Sequence, residues 1–81
     1  MVANICENFA IKLKELREKK GLSKGQLSSL ADLDMSYIGK IERCEKYPNI
    51  KTIAKLAIAL EVSVKDLFDF EWYIIILCII R

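Results

Sequence analysis

Histidine is absent from this chain, and its three cysteines (Cys6, Cys44 and Cys78) are too far apart for a CxxC pair. Zinc therefore lacks its usual ligands at a usable spacing, and no metal site is expected. An odd number of thiols, with no basic and apolar leader at the N-terminus, reads as reduced cytosolic cysteines and not a disulfide framework. Proline occurs once and glycine three times, which excludes collagen-like and low-complexity chains and favours helices with short connections. No glycine-rich phosphate loop is present, and no nucleophile has a base at a recognisable distance. The expectation is a protein that is not an enzyme, without cofactor or small-molecule ligand. Cys44, beside Arg43 and Lys46, has neighbours that can activate a thiol, but a packed cysteine is the simpler reading.

Apolar residues make up 53% of the chain and charged residues 30%, too hydrophobic a mixture for disorder. At 81 residues there is room for one small domain with a thin core, so oligomerisation is expected. The net charge of +2 is mild, but it is unevenly spread. Between Ile11 and Gln26 six cations (Lys12, Lys14, Arg17, Lys19, Lys20, Lys24) face two acids, whereas Lys65 to Glu71 holds one cation and three acids. One side of the molecule is set up to attract polyanions.

Hydrophobic spacing predicts five short helices. Phe9, Leu13 and Leu16 share one face of a helix over Glu7–Lys20, with Gly21 as its left-handed stop. Ser23 and Gln26 form a capping box before a second helix running to about Ala31, with Leu22 as its staple. After a break at Asp32-Leu33-Asp34, Asp34 is expected to cap a third helix, Met35–Arg43, with Ile38 and Ile41 inward and its other face polar. Asn49 caps a fourth, Ile50–Leu60, and Ser63 with Asp66 caps a fifth near Val64–Phe68. The fold class is all-α, with a helical domain over residues 7–69 and an apolar extension over residues 70–81.

That extension contains nine consecutive apolar residues, Trp72 to Ile80. A membrane-spanning helix needs about 20, so no membrane span is expected. Five isoleucines and two aromatics favour a strand about 30 Å long. Such a strand must be paired and covered, and no other strand is evident. The expected partner is the same tail of a second copy, with Trp72, Tyr73, Ile74, Ile75, Ile76, Leu77 and Ile79 as dimerisation residues. A helix in place of the strand, packing within one chain, and a membrane-surface anchor are the other readings.

Two short helices joined by a tight turn, the second with a free polar face, make a helix-turn-helix pattern. The residues sharpen it: Leu13-x-x-Leu16-Arg17, Gly21-Leu22-Ser23, Leu27, Ala31, then Ser36-Tyr37-Ile38-x-x-Ile41-Glu42, Pro48, Ile53, Leu56-Ala57, Leu60, Val62-Ser63 and Asp66-Leu67-Phe68. This set, covering about residues 9–68, resembles the phage repressor and Cro-like (XRE-type) helix-turn-helix DNA-binding family. Leu33-Asp34-Met35-Ser36-Tyr37-Ile38 with Ile41-Glu42-Arg43 looks most like the small controller proteins of restriction–modification systems.

The resemblance implies a five-helix, lambda-repressor-like domain that binds double-stranded DNA as a homodimeric transcription regulator, by default a repressor. The third helix would lie in the major groove. Met35 would touch a thymine methyl, Ser36 several bases, Lys40 guanine or phosphate, and Tyr37 the backbone or groove wall; half-burial between helices is an equal reading for Tyr37. Gly39 would let the backbone approach DNA closely. Lys24, Arg43 and Lys46 would hold phosphates. Arg17 and Glu42 match a structural ion pair of the family; breaking a buried pair costs about 3–5 kcal/mol. The family commonly has glycine where this chain has Asp32, Cys44 and Glu61. An antitoxin-like or accessory protein-binding module on the same scaffold is the alternative function.

Overall fold

The structure is a computed structural model, and it describes residues 5–70. Five helices follow one another: α1 (Ile5–Lys19), α2 (Lys24–Leu30), α3 (Tyr37–Glu42), α4 (Ile50–Leu60) and α5 (Val64–Leu67). No strand occurs among the described residues. The tail expectation, from Trp72 to Ile80, and its dimerisation residues lie outside them.

The helix starts follow from side-chain caps. Ser23 Oγ accepts from Gln26 N at 3.0 Å while Gln26 Oε1 accepts from Ser23 N at 2.7 Å, so α2 opens with a complete capping box. The same reciprocal pair forms between Ser63 and Asp66 at α5. At α4, Asn49 Oδ1 accepts from Thr52 N at 2.8 Å. Each cap satisfies an amide that the first turn leaves without a helical partner.

Four helices end in the same way. After α1, Leu22 N donates to Arg17 O and Gly21 N to Glu18 O, a Schellman closure around Gly21 at φ +75°. Equivalent bonds close α2 (Leu33 N to Ser28 O), α3 (Glu45 N to Lys40 O) and α4 (Val62 N to Ala57 O). Their left-handed residues are Asp32, Cys44 and Glu61, at φ +56°, +59° and +59°. These are the three positions where the resemblance led one to look for glycine. The chain keeps the corners and tolerates a β-carbon in each, at about 1–2 kcal/mol per left-handed residue, with aspartate the least penalised.

The third helix corrects the expectation. It begins at Tyr37, not Met35, and ends at Glu42. Asp34 does not cap it: its carboxylate accepts from Ser36 Oγ at 2.8 Å and Ser36 N at 3.3 Å, while Tyr37 N donates to Asp34 O. Aspartate here holds a turn two residues ahead, a competing use of the same short side chain. Met35 and Ser36 therefore stand in the turn leading into α3. The first helix is also longer than expected at its start, beginning at Ile5 and not Glu7.

Every helix contributes to one core. Leu13 from α1, Leu27 from α2, Ile38 and Ile41 from α3, Leu56 from α4 and Leu67 from α5 are fully buried. Each such side chain stabilises the fold by roughly 1.5–3 kcal/mol. Phe9 and Phe68 stack tilted at 5.1 Å and close the α1–α5 end. α1 lies across α3 and α5, and α2 packs on α3 and α4, so α3 is held from two sides.

Candidate nucleic-acid interface

The position of α3 is fixed by its buried side. Arg17 Nε donates to Glu42 Oε2 at 2.8 Å and Nη2 to Oε1 at 3.3 Å, while Nη1 donates to Leu22 O at 2.8 Å. The two side chains are 8% and 7% exposed. One guanidinium thus ties together the end of α1, the residue ahead of the α2 cap and the end of α3, with both oxygens of its partner occupied. From α2, the buried Ser28 Oγ–H donates to Met35 O at 3.4 Å and holds the turn before α3.

On the outer side, three of the expected contact residues converge. A β-carbon at Gly39 would lie 3.1 Å from Arg43 Nη1 and 3.8 Å from Lys24 Cδ, so the two cationic side chains fold over the glycine. Lys24 arrives from the first residue of α2 and Arg43 from the residue after α3, so cationic side chains from two helices share the space over Gly39. Gly39 itself is buried under them. Its lack of a side chain makes room for Arg43 and Lys24. Met35 folds similarly over Gly25, with Sδ 3.1 Å from where a β-carbon would stand, yet remains 71% exposed.

Two polar groups of this face, Arg43 and Ser36, are paired with neighbours two residues away. Arg43 Nε donates to Glu45 Oε2 at 2.7 Å and Nη2 to Oε1 at 3.3 Å across the left-handed Cys44 corner. Ser36 is held by Asp34. Hydrogen bonds from Arg43 keep the Glu45 carboxyl below its ordinary range, and those from Ser36 do the same for Asp34; Lys40 adds a smaller pull on both. Glu45 in turn raises Arg43. Lys40 is partly exposed on the same helix. Tyr37 is half-buried and packed against the core. Lys46 is exposed and lines an apolar groove of about 330 Å³ with Ile5, Phe9 and Phe68.

Sequence reasoning missed Glu45, whose only signal is an opposite charge two places from Arg43. It also missed the exposed ion pair of Lys20 with Glu61, which lowers the Glu61 carboxyl and joins two of the left-handed corners. Among the described residues no group of three Cys, Asp or Glu side chains could hold a metal ion, and no helix is long and apolar enough to cross a membrane.

This arrangement can be set against known proteins. The helix-turn-helix family profile HTH_3 matches residues 13–67, from the middle of α1 to the end of α5. The chain belongs to the XRE-type helix-turn-helix family of DNA-binding transcription regulators. Control protein C.BamHI of Bacillus amyloliquefaciens is 37% identical over 71 residues, covering 86% of this chain and 88% of that one. The HTH-type transcriptional regulator SinR of Bacillus subtilis is 36% identical over 59 residues, where the match spans 72% of this chain but only 53% of that longer protein. The crystal structure of the restriction–modification controller protein C.AhdI from Aeromonas hydrophila superimposes with a TM-score of 0.76 at 41% identity, over 78% of this chain and 96% of that one. These relatives are regulators, not enzymes.

Proposed function

We propose that this chain is a sequence-specific transcription regulator that binds a two-fold DNA site as a homodimer, with α3 in the major groove. The observation that carries this reading is the convergence of Lys24 and Arg43 over Gly39 on the outer face of α3. Two phosphates along one strand would take the place of the local partners there. Arg43 would exchange Glu45 for phosphate, and Lys24 would meet phosphate beside the α2 N-terminus. Ser36 and Lys40 would face base edges, with Met35 against an apolar base group. Lys46 would act only at the edge of the site. Covering a promoter gives repression as the default outcome. Likeness to two controller proteins supports a target in the control region of a restriction–modification gene set.

A dimer would place two α3 helices about 34 Å apart, matching successive major-groove faces. The apolar tail, Trp72–Ile80, is the proposed joining segment. A second reading of the contact rests on α4, whose outer face carries Ile50 and Ile58 at 86% and 78% exposure. Removing residues 71–81 separates the two. A monomer by light scattering supports the tail, and a persistent dimer assigns the contact to the helical body.

Footprinting on the DNA upstream of the chain's own gene, near physiological salt with excess competitor, tests the main reading. A protected two-fold symmetric site is expected. Binding that competitor abolishes would instead favour the protein-binding module.

A further inference from the structure

A line of aromatic rings leads from the core to the last of the described residues. Phe9 meets Phe68 with ring centroids 5.1 Å apart, and Phe68 meets Phe70 at 6.1 Å. Phe9 and Phe68 are also walls of the groove of about 330 Å³. Ile5 from α1, Tyr47 and Pro48 from the loop before α4, and Ile53 from α4 line it with them. Ile5 and Tyr47 are 43% and 76% exposed, so apolar side chains on two sides of the groove face water. Lys46 is the one charged residue among the described residues that line it.

The segment that follows Phe70 matches this groove in reach, chemistry and charge. Trp72 stands four residues beyond Phe68, so the chain holds it within about 14 Å of a groove wall whatever its path. Its indole is a large apolar ring with one polar N–H, a group suited to a site with one apolar side and one wet side. Glu71, the residue before it, carries the charge opposite to that of Lys46. A groove of this volume takes one large ring and not an apolar run about 30 Å long.

We propose that Trp72 seats in this groove of its own chain, with Glu71 toward Lys46. The aromatic start of the tail then covers Ile5 and Tyr47, and the run from Ile74 to Ile80 is left for the contact between copies. The covalent link favours the chain's own groove, since a partner's tail must compete with a ring already held at short range. The seat is the same in a monomer and in a dimer, and it does not rest on the DNA-binding reading.

Trp72 is the sole tryptophan of the chain, so fluorescence of the full-length protein reports its surroundings directly. The expected emission lies to the blue of N-acetyltryptophanamide, with weak quenching by acrylamide. Neither property should change on dilution through the range where light scattering shows dimers giving way to monomers. Ile5→Asp and Tyr47→Asp, at exposed walls, should each shift the emission to the red and restore quenching, with circular dichroism and melting curves still those of a folded helical domain. Ile58→Asp, on the outer face of α4 at 78% exposure and outside the groove, should leave the emission unchanged. Emission and quenching of the unaltered protein equal to those of the free indole would overturn the proposal. So would blue emission that both groove variants leave untouched. Blue emission lost on dilution would also overturn it, and would assign Trp72 to the contact between copies.

Discussion

The two sides of α3 are held by different kinds of contact. On the inner side Ile38 and Ile41 are fully buried, and Glu42 is gripped by Arg17 from 25 residues away. On the outer side Arg43 bonds Glu45, and Ser36 bonds Asp34, each only two residues distant and exposed to water. Long-range buried contacts fix where the helix lies. Short-range exposed ones hold side chains ready at little energetic cost and can be exchanged for a partner, since exposed ion pairs contribute at most about 1 kcal/mol. A recognition element needs both: a rigid seat and a surface whose own bonds are easily replaced.

The largest losses are expected from the inner side. Arg17→Ala or Glu42→Ala should each lower stability by about 3–5 kcal/mol, because one charge is left buried without its partner. Thermal melting checks this, and a loss under 1 kcal/mol would mean that the pair is not the seat of α3. Replacing both by apolar residues of similar size should cost less than either single change.

On the outer side, Lys40→Ala should reduce affinity for the footprinted site about tenfold while leaving Tm within a degree or two. Fluorescence anisotropy and melting curves together separate the two sides, and a variant that loses affinity only because it unfolds would erase the distinction. Glu45→Gln should act in the opposite sense. Freed from its ion pair, Arg43 should bind DNA up to about fivefold more tightly, the equivalent of an exposed pair. A fall in affinity would show that Glu45 orients Arg43 and does not compete with DNA. Smaller still, Asp32→Gly should relax one left-handed corner and stabilise the domain by about 0.5 kcal/mol, with affinity unchanged.

Much of the inner side was legible before any coordinates. Ser23 with Gln26, Asn49, and Ser63 with Asp66 mark helix starts because a cap and its target lie within one turn of chain. Alternation of Leu13, Leu27, Ile38, Ile41 and Leu56 with polar residues marks the core for the same local reason. The Arg17–Glu42 pairing came only through family resemblance, since nothing local links those residues. Asp34 misled because its carboxylate has two nearby uses, a helix cap and a turn bond to Ser36, and spacing cannot choose between them. Asp32, Cys44 and Glu61 were noticeable as departures from glycine, but only the positive φ angles show that the corners persist. The outer face was the least legible. Lys24 and Arg43 meet over Gly39 because α2 packs on α3 there, a contact between helices that no local spacing announces.

Contact of Lys24 and Arg43 with DNA phosphates, as proposed, is read from the slope of log binding constant against log salt on the footprinted duplex, for wild type, Lys24→Ala, Arg43→Ala and the double variant. Each single variant should flatten the slope by roughly 1 and the double variant by roughly 2. Slopes unchanged from wild type, with the fold intact, would move the DNA-binding face elsewhere on the molecule.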